Sequence, residues 1–467
     1  MTDYQDFDIP EFGKNPLIDA LPIFLDKTGL LAKTLAPPTF NPEEKTHDDL
    51  RRDIYTERLD DCIIPNNKFY KAYKKIFKLL LKSYKYRNPL NIDTKALLNH
   101  IASKGKNVPY PKTLLNKTAG AYFLTGLSGM GKSYMIDNIL SIAFKQVLSH
   151  TDYKGTKLNF KQLVYVKFNC PSDASRRVVC LNFFRAVDEA IGTNYVYENK
   201  NKNIPIPDLE LNMKKVCLIH HIGLIIIDEL QNLSMAKAGG AKAAMNFFES
   251  FSNEIKVSFL FIGTYDSYDI YSGSFKTARR MAKDGTIDLE QPVITDPVWN
   301  QLVDVLWQYQ WVEKPIPMNS DIKKLLYKLT QGVTFCTVSL LKFANIYAIE
   351  NDEESITEQT IYNAYKEEFK LLMPSLDALH DENYGAYDDL MPLAIRRMLQ
   401  RKKQRSTPMD DLESDISDED IASVIQSTTD ENKIDKFQRK KRLKESTQDV
   451  YNRLESSGFF ITDLNSI

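Results

Sequence analysis

Hydrophobic residues in the middle of the chain alternate between two spacings. Short apolar runs that are rich in strand-forming residues predict β-strands at 121–125, 163–169, 222–228, 257–263 and 286–293. Apolar residues spaced three or four apart predict helices between them, at 132–147, 175–191 and 241–255. Regular alternation of strand and helix is typical of a parallel sheet with helices on both faces. The pattern therefore predicts the α/β fold class.

The amino-terminal part of the chain follows a different pattern. Prolines interrupt residues 1–60 so often that no long helix is expected there, and we expect this segment to lie on a surface or on a partner. Residues 66–86 have helical apolar spacing, with seven lysines among the other positions. This lysine-rich face is either solvated or a row that binds phosphates. Residues 107–118 read as a linker into the α/β region.

The carboxyl-terminal part changes character twice. Residues 297–375 show helical periodicity and predict a compact helical region. Beyond about 376 the composition shifts, with an acidic run at 410–420 and a basic run at 438–444. Such charge blocks predict a tail that is partly disordered and partly short helix.

Composition narrows the class of protein. The chain has 467 residues and a net charge of −1, so any nucleic-acid contact must come from a local patch. Its 5 cysteines form no C-x-x-C pair, which favours a reducing cytoplasm over a disulfide scaffold. The first residues lack the pattern of a signal peptide, and the longest apolar run, 222–227, is far shorter than the ~20 residues of a membrane span.

A glycine-rich loop separates the first predicted strand from the first predicted helix. It reads Gly126-Leu127-Ser128-Gly129-Met130-Gly131-Lys132-Ser133 and fits G-x-x-x-x-G-K-[ST]. Backbone N–H groups of such a loop surround phosphates, Lys132 would reach the β- and γ-phosphates, and the Ser133 hydroxyl would bind Mg²⁺. ATP and Mg²⁺ are therefore the expected cofactors, and the alternative is a glycine-rich turn that binds no nucleotide.

Two acids end the most apolar strand, about a hundred residues after the loop. Parallel strands present their carboxyl ends at the edge of the sheet where ligands bind. Asp228 would hold Mg²⁺ through water, and Glu229 would act as general base for the attacking water. The alternative is a strand edge with ordinary surface acids.

Polar residues at the neighbouring strand ends are further candidates. Thr264 follows the strand 257–263 and is either a sensor of the γ-phosphate or a turn residue. Asn169 closes the second strand and is a candidate to restrain Glu229. Arg279 and Arg280 precede the last strand, and either would serve as an arginine finger for a neighbouring subunit unless the pair is simply solvated.

Basic residues in two loops are candidates for sequence-independent DNA contacts. Arg176 and Arg177 follow the second strand, whereas Lys237 and Lys242 flank a Gly-Gly pair after Glu229. In an assembled ring, both loops would line a channel and contact phosphates. The alternative for each residue is an exposed loop charge.

Several stretches resemble the AAA+ regulator ATPase TnsC of cut-and-paste transposons and its relative TniB. The resemblance spans roughly residues 4–380. Its motifs are Asn15-Pro16-Leu17-Ile18-Asp19-Ala20-Leu21-Pro22, Cys180-Leu181-Asn182-Phe183-Phe184-Arg185-Ala186, Gly192-Thr193-Asn194-Tyr195, Ile227-Asp228-Glu229-Leu230-Gln231-Asn232-Leu233-Ser234, Met245-Asn246-Phe247-Phe248, Ile262-Gly263-Thr264 and Ala278-Arg279-Arg280.

The resemblance implies a fold and its division. The expected fold is an AAA+ P-loop NTPase with a five-stranded parallel sheet, a small helical lid, an amino-terminal extension and a carboxyl-terminal tail. The expected domains are a partner-binding extension at 1–115 with its basic helix near 66–86, a nucleotide-binding core at 116–295, a helical lid at 296–378 and a tail at 379–467 that contacts a transposase or another partner. The lid stretch 330–338 contains no arginine, although many AAA+ lids carry a sensor arginine.

The resemblance also implies a function. Copies of a bacterial cytoplasmic ATPase would assemble with ATP on duplex DNA as a ring or spiral of roughly six or seven subunits per turn. The assembly would link a target-selection protein to the transposase, and ATP hydrolysis would disassemble it. The alternatives are a replication-initiator or helicase-loader ATPase, and a signalling or scaffold ATPase that does not bind DNA.

Overall fold

The structure is a computed structural model of the chain. It describes residues 2–7, 9–104, 108–172, 175–233, 240–267, 270, 279 and 283–383, with the backbone alone for 240–243. None of the described helices is long and apolar enough to cross a membrane.

A five-stranded parallel sheet forms the centre of the molecule. Its strands are β1 (Ala121–Gly126), β4 (Tyr165–Asn169), β5 (Leu224–Asp228), β6 (Ser258–Gly263) and β7 (Thr286–Leu289). They lie in the order β4-β5-β6-β1-β7, so that the loop after β1 and the acids that end β5 flank the end of β6. The predicted α/β class, its five strands and its parallel sheet are confirmed.

Fifteen α-helices surround or extend this sheet within the described residues. They are α1 (Pro16–Asp19), α2 (Lys27–Thr34), α3 (Asp49–Thr56), α4 (Asn67–Lys85), α5 (Ile92–Ala102), α6 (Lys132–Ala143), α7 (Arg176–Ile191), α8 (Tyr195–Asn199), α9 (Ile206–Ile219), α10 (Gly240–Ile255), α11 (Pro297–Leu306), α12 (Ser320–Thr330), α13 (Thr334–Glu350), α14 (Glu358–Glu368) and α15 (Met373–His380).

The alternation of side chains along each strand divides the core into two layers. Phe123, Ile225 and Phe261 pack with α5, α7, α9 and α10 on one face. Their neighbours Tyr122 and Ile226 point to the opposite face, where they pack with α1, α2, α4 and α6. Because successive strand residues point to opposite sides, a continuous apolar run is what a strand buried on both faces requires.

The helices from α11 onward form a third hydrophobic cluster. This cluster also contains Leu127 of the glycine-rich loop and Leu59 of the amino-terminal segment, so it reaches the end of the sheet at which β1 finishes. The domain boundaries after residues 115, 295 and 378 remain predictions. The tail from 384 onward lies outside the described residues.

A β-hairpin replaces part of one predicted helix. The prediction of a helix over 132–147 is wrong at its end, because α6 stops at Ala143 and two antiparallel strands follow, β2 (Val147–Tyr153) and β3 (Thr156–Leu163). Lys154 and Gly155 join them with φ of 50° and 85°. Two left-handed residues form the kind of tight turn that matches the twist of a hairpin. Leu163 is the last residue of β3, so β4 begins at Tyr165 and not at residue 163 as predicted.

The last strand of the sheet is shorter than predicted. The sequence suggested 286–293, whereas β7 ends at Leu289. Pro292 lies in the segment that follows, and proline has no N–H to donate to a neighbouring strand.

The amino-terminal segment belongs to the core of the protein. The expectation that residues 1–60 lie only on a surface or a partner is wrong for α1, where Leu17 and Ile18 are fully buried. The side chain of Asn15 caps this helix, and its amide donates to the carbonyl of Tyr84 at 3.0 Å. The expected lack of a long helix is confirmed, since α2 and α3 have 8 residues each.

We predict that Leu17→Ala lowers the free energy of unfolding by about 2–5 kcal/mol, because it leaves a cavity between α1 and α4. Ile23→Ala is the matched control, since Ile23 is 64% exposed and its loss should cost no more than about 0.5 kcal/mol. Urea denaturation followed by circular dichroism measures both. Equal effects of the two variants would contradict the buried position of α1.

Candidate functional site

The glycine-rich loop Gly126–Ser133 connects β1 to α6. Gly131 caps α6 with φ of 76°, a left-handed conformation that favours glycine. Gly129 also has a positive φ of 77°, and a Cβ there would lie 3.0 Å from Val333. The N–H of Phe335 donates to the Gly129 carbonyl at 2.9 Å. The loop is therefore held from outside by the segment that begins α13.

Lys132 places a buried ammonium group inside this loop. Its Nζ donates to the carbonyls of Gly126 at 3.0 Å and Leu127 at 2.9 Å. Burial lowers the pKa of Lys132 to about 8, against the opposing effect of Glu229 and Asp228. Neutral carbonyls compensate only part of this charge, and the group sits at the amino end of a helix. Both features favour binding of an anion.

The acid pair lies where β5 ends. Asp228 is buried, accepts a hydrogen bond from the N–H of Glu229 at 2.9 Å, and lies 3.3 Å from the ammonium of Lys167. Glu229 has φ of 57°, which is uncommon for a residue with a side chain and costs about 1–3 kcal/mol. Such strain is concentrated at functional sites, because the surroundings must enforce it.

Gln231 connects Glu229 to the neighbouring strand. Its Nε2 donates to a carboxylate oxygen of Glu229, while its Oε1 accepts from the N–H of Thr264 at 3.1 Å. The sequence suggested Asn169 as the residue that restrains Glu229. In the structure, the backbone carbonyl of Asn169 instead accepts a hydrogen bond from the side-chain amide of Asn182 at 3.2 Å. The sequence signal that was missed is an amide two positions after the acid pair.

The hydroxyl of Thr264 is buried and has no hydrogen-bond partner within the described structure. Leaving such a group unsatisfied costs about 1–3 kcal/mol. Thr264 follows the carboxyl end of β6 and lines the same cavity as Lys132 and Glu229. A ligand oxygen in that cavity would satisfy the hydroxyl, so the position fits the predicted sensor.

One cavity of about 610 Å³ collects most of the predicted residues. From the glycine-rich loop and the strand ends it is lined by Ser128, Gly129, Gly131, Lys132, Ser133, Asp228, Glu229, Gln231 and Thr264. Helix α13 and the amino-terminal residues Asp60 and Cys62 close its other sides. Residues that are more than a hundred positions apart in sequence therefore face one space.

A narrower, largely apolar cavity of about 260 Å³ adjoins the loop. Met130 and Gly131 form one side of it, and the amino-terminal stretch 62–64 forms another. A short β-bridge holds this stretch, with Ile63 donating to the carbonyl of Ala36 at 2.8 Å. The two cavities share Cys62, Gly131 and Tyr134, so a ligand in the larger one can extend into the smaller one. No sequence pattern indicated the role of residues 62–64.

A lysine of α13 also lines the larger cavity. Lys342 of α13 lies 2.6 Å from Asp60 and 3.3 Å from Glu57, and these ion pairs raise its pKa despite burial. The stretch 330–338 supplies no arginine, so Lys342 is the cation that α13 contributes here.

The residues at the site fit a hydrated magnesium ion better than a protein-enclosed metal. Ser133 and Asp228 line the same cavity, as predicted for Mg²⁺ ligands. Within the described residues, no three His, Cys, Asp or Glu side chains cluster as a metal site. Mg²⁺ commonly binds one or two protein oxygens together with phosphates and water, which matches this arrangement.

Arg279 lies away from this cavity. It is exposed and lines a separate cavity with Ala119 and Ala121, at the opposite end of β1 from the glycine-rich loop. It therefore does not line the cavity that contains Glu229. Arg280 lies outside the described residues.

Two of the four basic residues predicted to contact DNA have described side chains. Arg176 pairs with Glu210 at 2.9 Å, and Arg177 donates to backbone carbonyls, including that of Ile204. Both guanidinium groups therefore have partners inside the chain, and their contact with DNA remains a prediction. Lys237 and the side chain of Lys242 lie outside the described residues.

Comparison with known proteins agrees with this geometry. Residues 115–270 match a family model described as AAA domain. They form an AAA-type P-loop ATPase domain. The match begins before β1 and ends after β6, so it includes the loop, the acid pair and Thr264. No curated protein sequence matches the chain.

The chain is also distantly similar to several solved structures. A Walker-type ATPase of Pyrococcus abyssi is 11% identical, with a TM-score of 0.35, over 73% of this chain and 90% of the other. The Holliday junction branch migration motor RuvB of Thermotoga maritima is 12% identical, with a TM-score of 0.32, over 79% and 86%. The ORC2 protein of Aeropyrum pernix is 12% identical, with a TM-score of 0.38, over 71% and 83%.

We predict that Gln231→Met, which keeps the side-chain length and removes both hydrogen bonds, lowers kcat for ATP hydrolysis about 10- to 100-fold. Nucleotide affinity should change less than about twofold, because the loop is untouched. Asn232→Ala is the matched control, since its amide on the same short helix donates to Cys170 at 2.8 Å. Steady-state kinetics and binding of a fluorescent nucleotide separate the two effects. Unchanged kcat would contradict a positioning role for Gln231.

Proposed function

We propose that this protein is an ATPase that assembles on duplex DNA and uses ATP hydrolysis to leave it. The observation that supports the ATPase part is the single cavity into which the glycine-rich loop, the acid pair and Thr264 project. Hydrolysis of a phosphoanhydride needs a cation beside the phosphates and a group that orients the attacking water, and Lys132 and Glu229 can supply these. The Thr264 hydroxyl, which has no partner in the described structure, can donate to a phosphate oxygen.

Each side chain has a proposed role in that reaction. Lys132 neutralises the charge of the β- and γ-phosphates, and Ser133 and Asp228 hold Mg²⁺. Glu229 orients the attacking water and accepts its proton, with its carboxylate fixed by Gln231. Thr264 donates to the γ-phosphate or to that water. The ion supplies further neutralisation of phosphate charge when bound.

The apolar cavity is the proposed binding site for the base of the nucleotide. In this proposal, the adenine lies between Met130 and the stretch 62–64, next to Leu289 and Trp299. The amino-terminal segment would then be part of the nucleotide site, and nucleotide binding would fix its position relative to α6.

The finer biological role rests on the resemblance to the TnsC and TniB ATPases. We propose a regulator of DNA transposition that receives a signal from a target-selection protein and passes it to the transposase. Homo-oligomers would place the nucleotide between neighbouring subunits. The distance of Arg279 from its own acid pair supports a role in trans, as an arginine finger of the neighbouring site.

We predict that Glu229→Gln keeps ATP binding but lowers kcat about 10²- to 10⁴-fold, because the amide cannot accept a proton. With ATP present, the variant should stay bound to duplex DNA as an oligomer for longer than the unmodified protein. Glu313→Gln is the control, because Glu313 is exposed on the helical region. Phosphate release and analytical ultracentrifugation measure the two effects, and normal turnover by Glu229→Gln would refute the assignment.

We also predict that nucleotide protects Cys62 from alkylation. Cys62 is half-buried and lines both cavities, whereas the other four cysteines are buried. Burial raises the pKa of its thiol to about 11, so iodoacetamide should react slowly at pH 8 and faster as the pH rises towards that value. ATP analogue with Mg²⁺ should slow the reaction at least tenfold, and Cys62→Ser should remove the first label. Equal rates with and without nucleotide would place the base elsewhere.

A further inference from the structure

Helix α4 carries a continuous stripe of positive charge. Its 19 residues include seven lysines and no acid. At 3.6 residues per turn all seven fall within about a third of the helix circumference. We call this stripe the lysine ridge; it consists of Lys68, Lys71, Lys74, Lys75, Lys78, Lys82 and Lys85. The ridge is about 26 Å long at 1.5 Å per residue.

Few acidic groups compensate the ridge. Asp284 pairs with Lys82 at 2.6 Å, and its carbonyl accepts from Lys75 at 2.7 Å. Among the residues that the structure describes, the exposed Lys71, Lys74 and Lys78 form no ion pair. Burial lowers the pKa of Lys75, and the charges of these three lysines lower it further against the effect of Asp284. The middle of the ridge therefore holds several positive charges that repel one another.

This arrangement costs stability in the isolated protein. Like-charged side chains at i and i+4 destabilise a helix by about 0.2–0.5 kcal/mol per pair. Lysines near the amino terminus also oppose the helix dipole. A bound polyanion would remove both costs, whereas hydration alone would remove only part of them.

The other side of α4 leads to the nucleotide site. Its apolar residues Ile76, Phe77 and Leu80 pack in one cluster with Met135 and Ile136 of α6, the helix that begins at Lys132. Its first turn, residues 67–69, lines the apolar cavity beside the glycine-rich loop. Helix α4 thus exposes the middle of the ridge, at Lys71, Lys74 and Lys78, and lines the apolar cavity with its first turn, which includes Lys68.

We propose that the lysine ridge binds the phosphate backbone of duplex DNA without reading its sequence. The inference rests on the proposed DNA-binding function and gives it a surface different from the loops at 176–177 and 237–242. A straight ridge of about 26 Å spans about seven base pairs at 3.4 Å per pair, and its lysines provide point charges for phosphates rather than groups for base edges. The ridge also has tyrosines at its border, with Lys74 lying 5.5 Å from the ring of Tyr70.

The test compares two triple variants of the full-length chain. One carries Lys71→Ala, Lys74→Ala and Lys78→Ala; the control carries Lys157→Ala, Lys200→Ala and Lys202→Ala, which are exposed lysines away from α4. Fluorescence anisotropy with a labelled duplex measures affinity at several salt concentrations, in the presence of a non-hydrolysable ATP analogue. Thermal melting tests whether both variants fold.

The ridge variant should bind duplex DNA at least tenfold more weakly at low salt. The slope of log affinity against log salt should fall by about 2–3, since each lost phosphate contact contributes about 0.9. The control should match the unmodified protein. The melting temperature of the ridge variant should stay the same or rise, because repulsion is relieved.

The other outcomes separate two failures. If the unmodified protein does not bind duplex DNA, the proposed function fails. If it binds and the ridge variant keeps the affinity and slope of the control, the DNA-binding function stands and the ridge inference is overturned. If the ridge variant keeps its DNA affinity but loses binding to a peptide with the sequence of residues 410–420, the ridge serves the acidic run of this chain instead, which also overturns the inference.

Discussion

The buried ammonium group of Lys132 is the interaction on which the site depends. A cation held at the amino end of a helix, with two backbone carbonyls as its direct acceptors among the described residues, favours an anion nearby. Asp228 and Glu229 oppose the effect of burial on its pKa but do not replace such an anion. The loop, the acid pair and the lid region are arranged around this one charge.

Strand order explains why those groups meet. Because β1 and β5 both lie beside β6, the loop after β1, the acids after β5 and Thr264 after β6 emerge side by side at one edge. Gln231 then joins two of these strand ends through a single amide. The backbone at the end of β6 and the carboxylate of Glu229 therefore share one hydrogen-bond partner.

The amino-terminal segment and the lid region complete the site from outside the sheet. The β-bridge at Ile63 positions one wall of the apolar cavity, and Lys342 ties α13 to Asp60 across the larger one. Helix α4 lines the apolar cavity with its first turn and exposes lysines at the surface. Helix α13, the stretch 62–64 and the first turn of α4 therefore lie around two adjoining cavities.

The sequence by itself determined the α/β class, the five strands and the loop and acids of the site, because these depend on local spacing and on glycine at positions with left-handed φ. It did not predict the hairpin after Ala143, the burial of Leu17 or the contact of Gln231 with Glu229. Those depend on which segments meet across the sheet, and side chains that are far apart in sequence leave no periodic signal of their contact. Only the tertiary structure decided that residues 62–64 face the glycine-rich loop and that Arg279 does not.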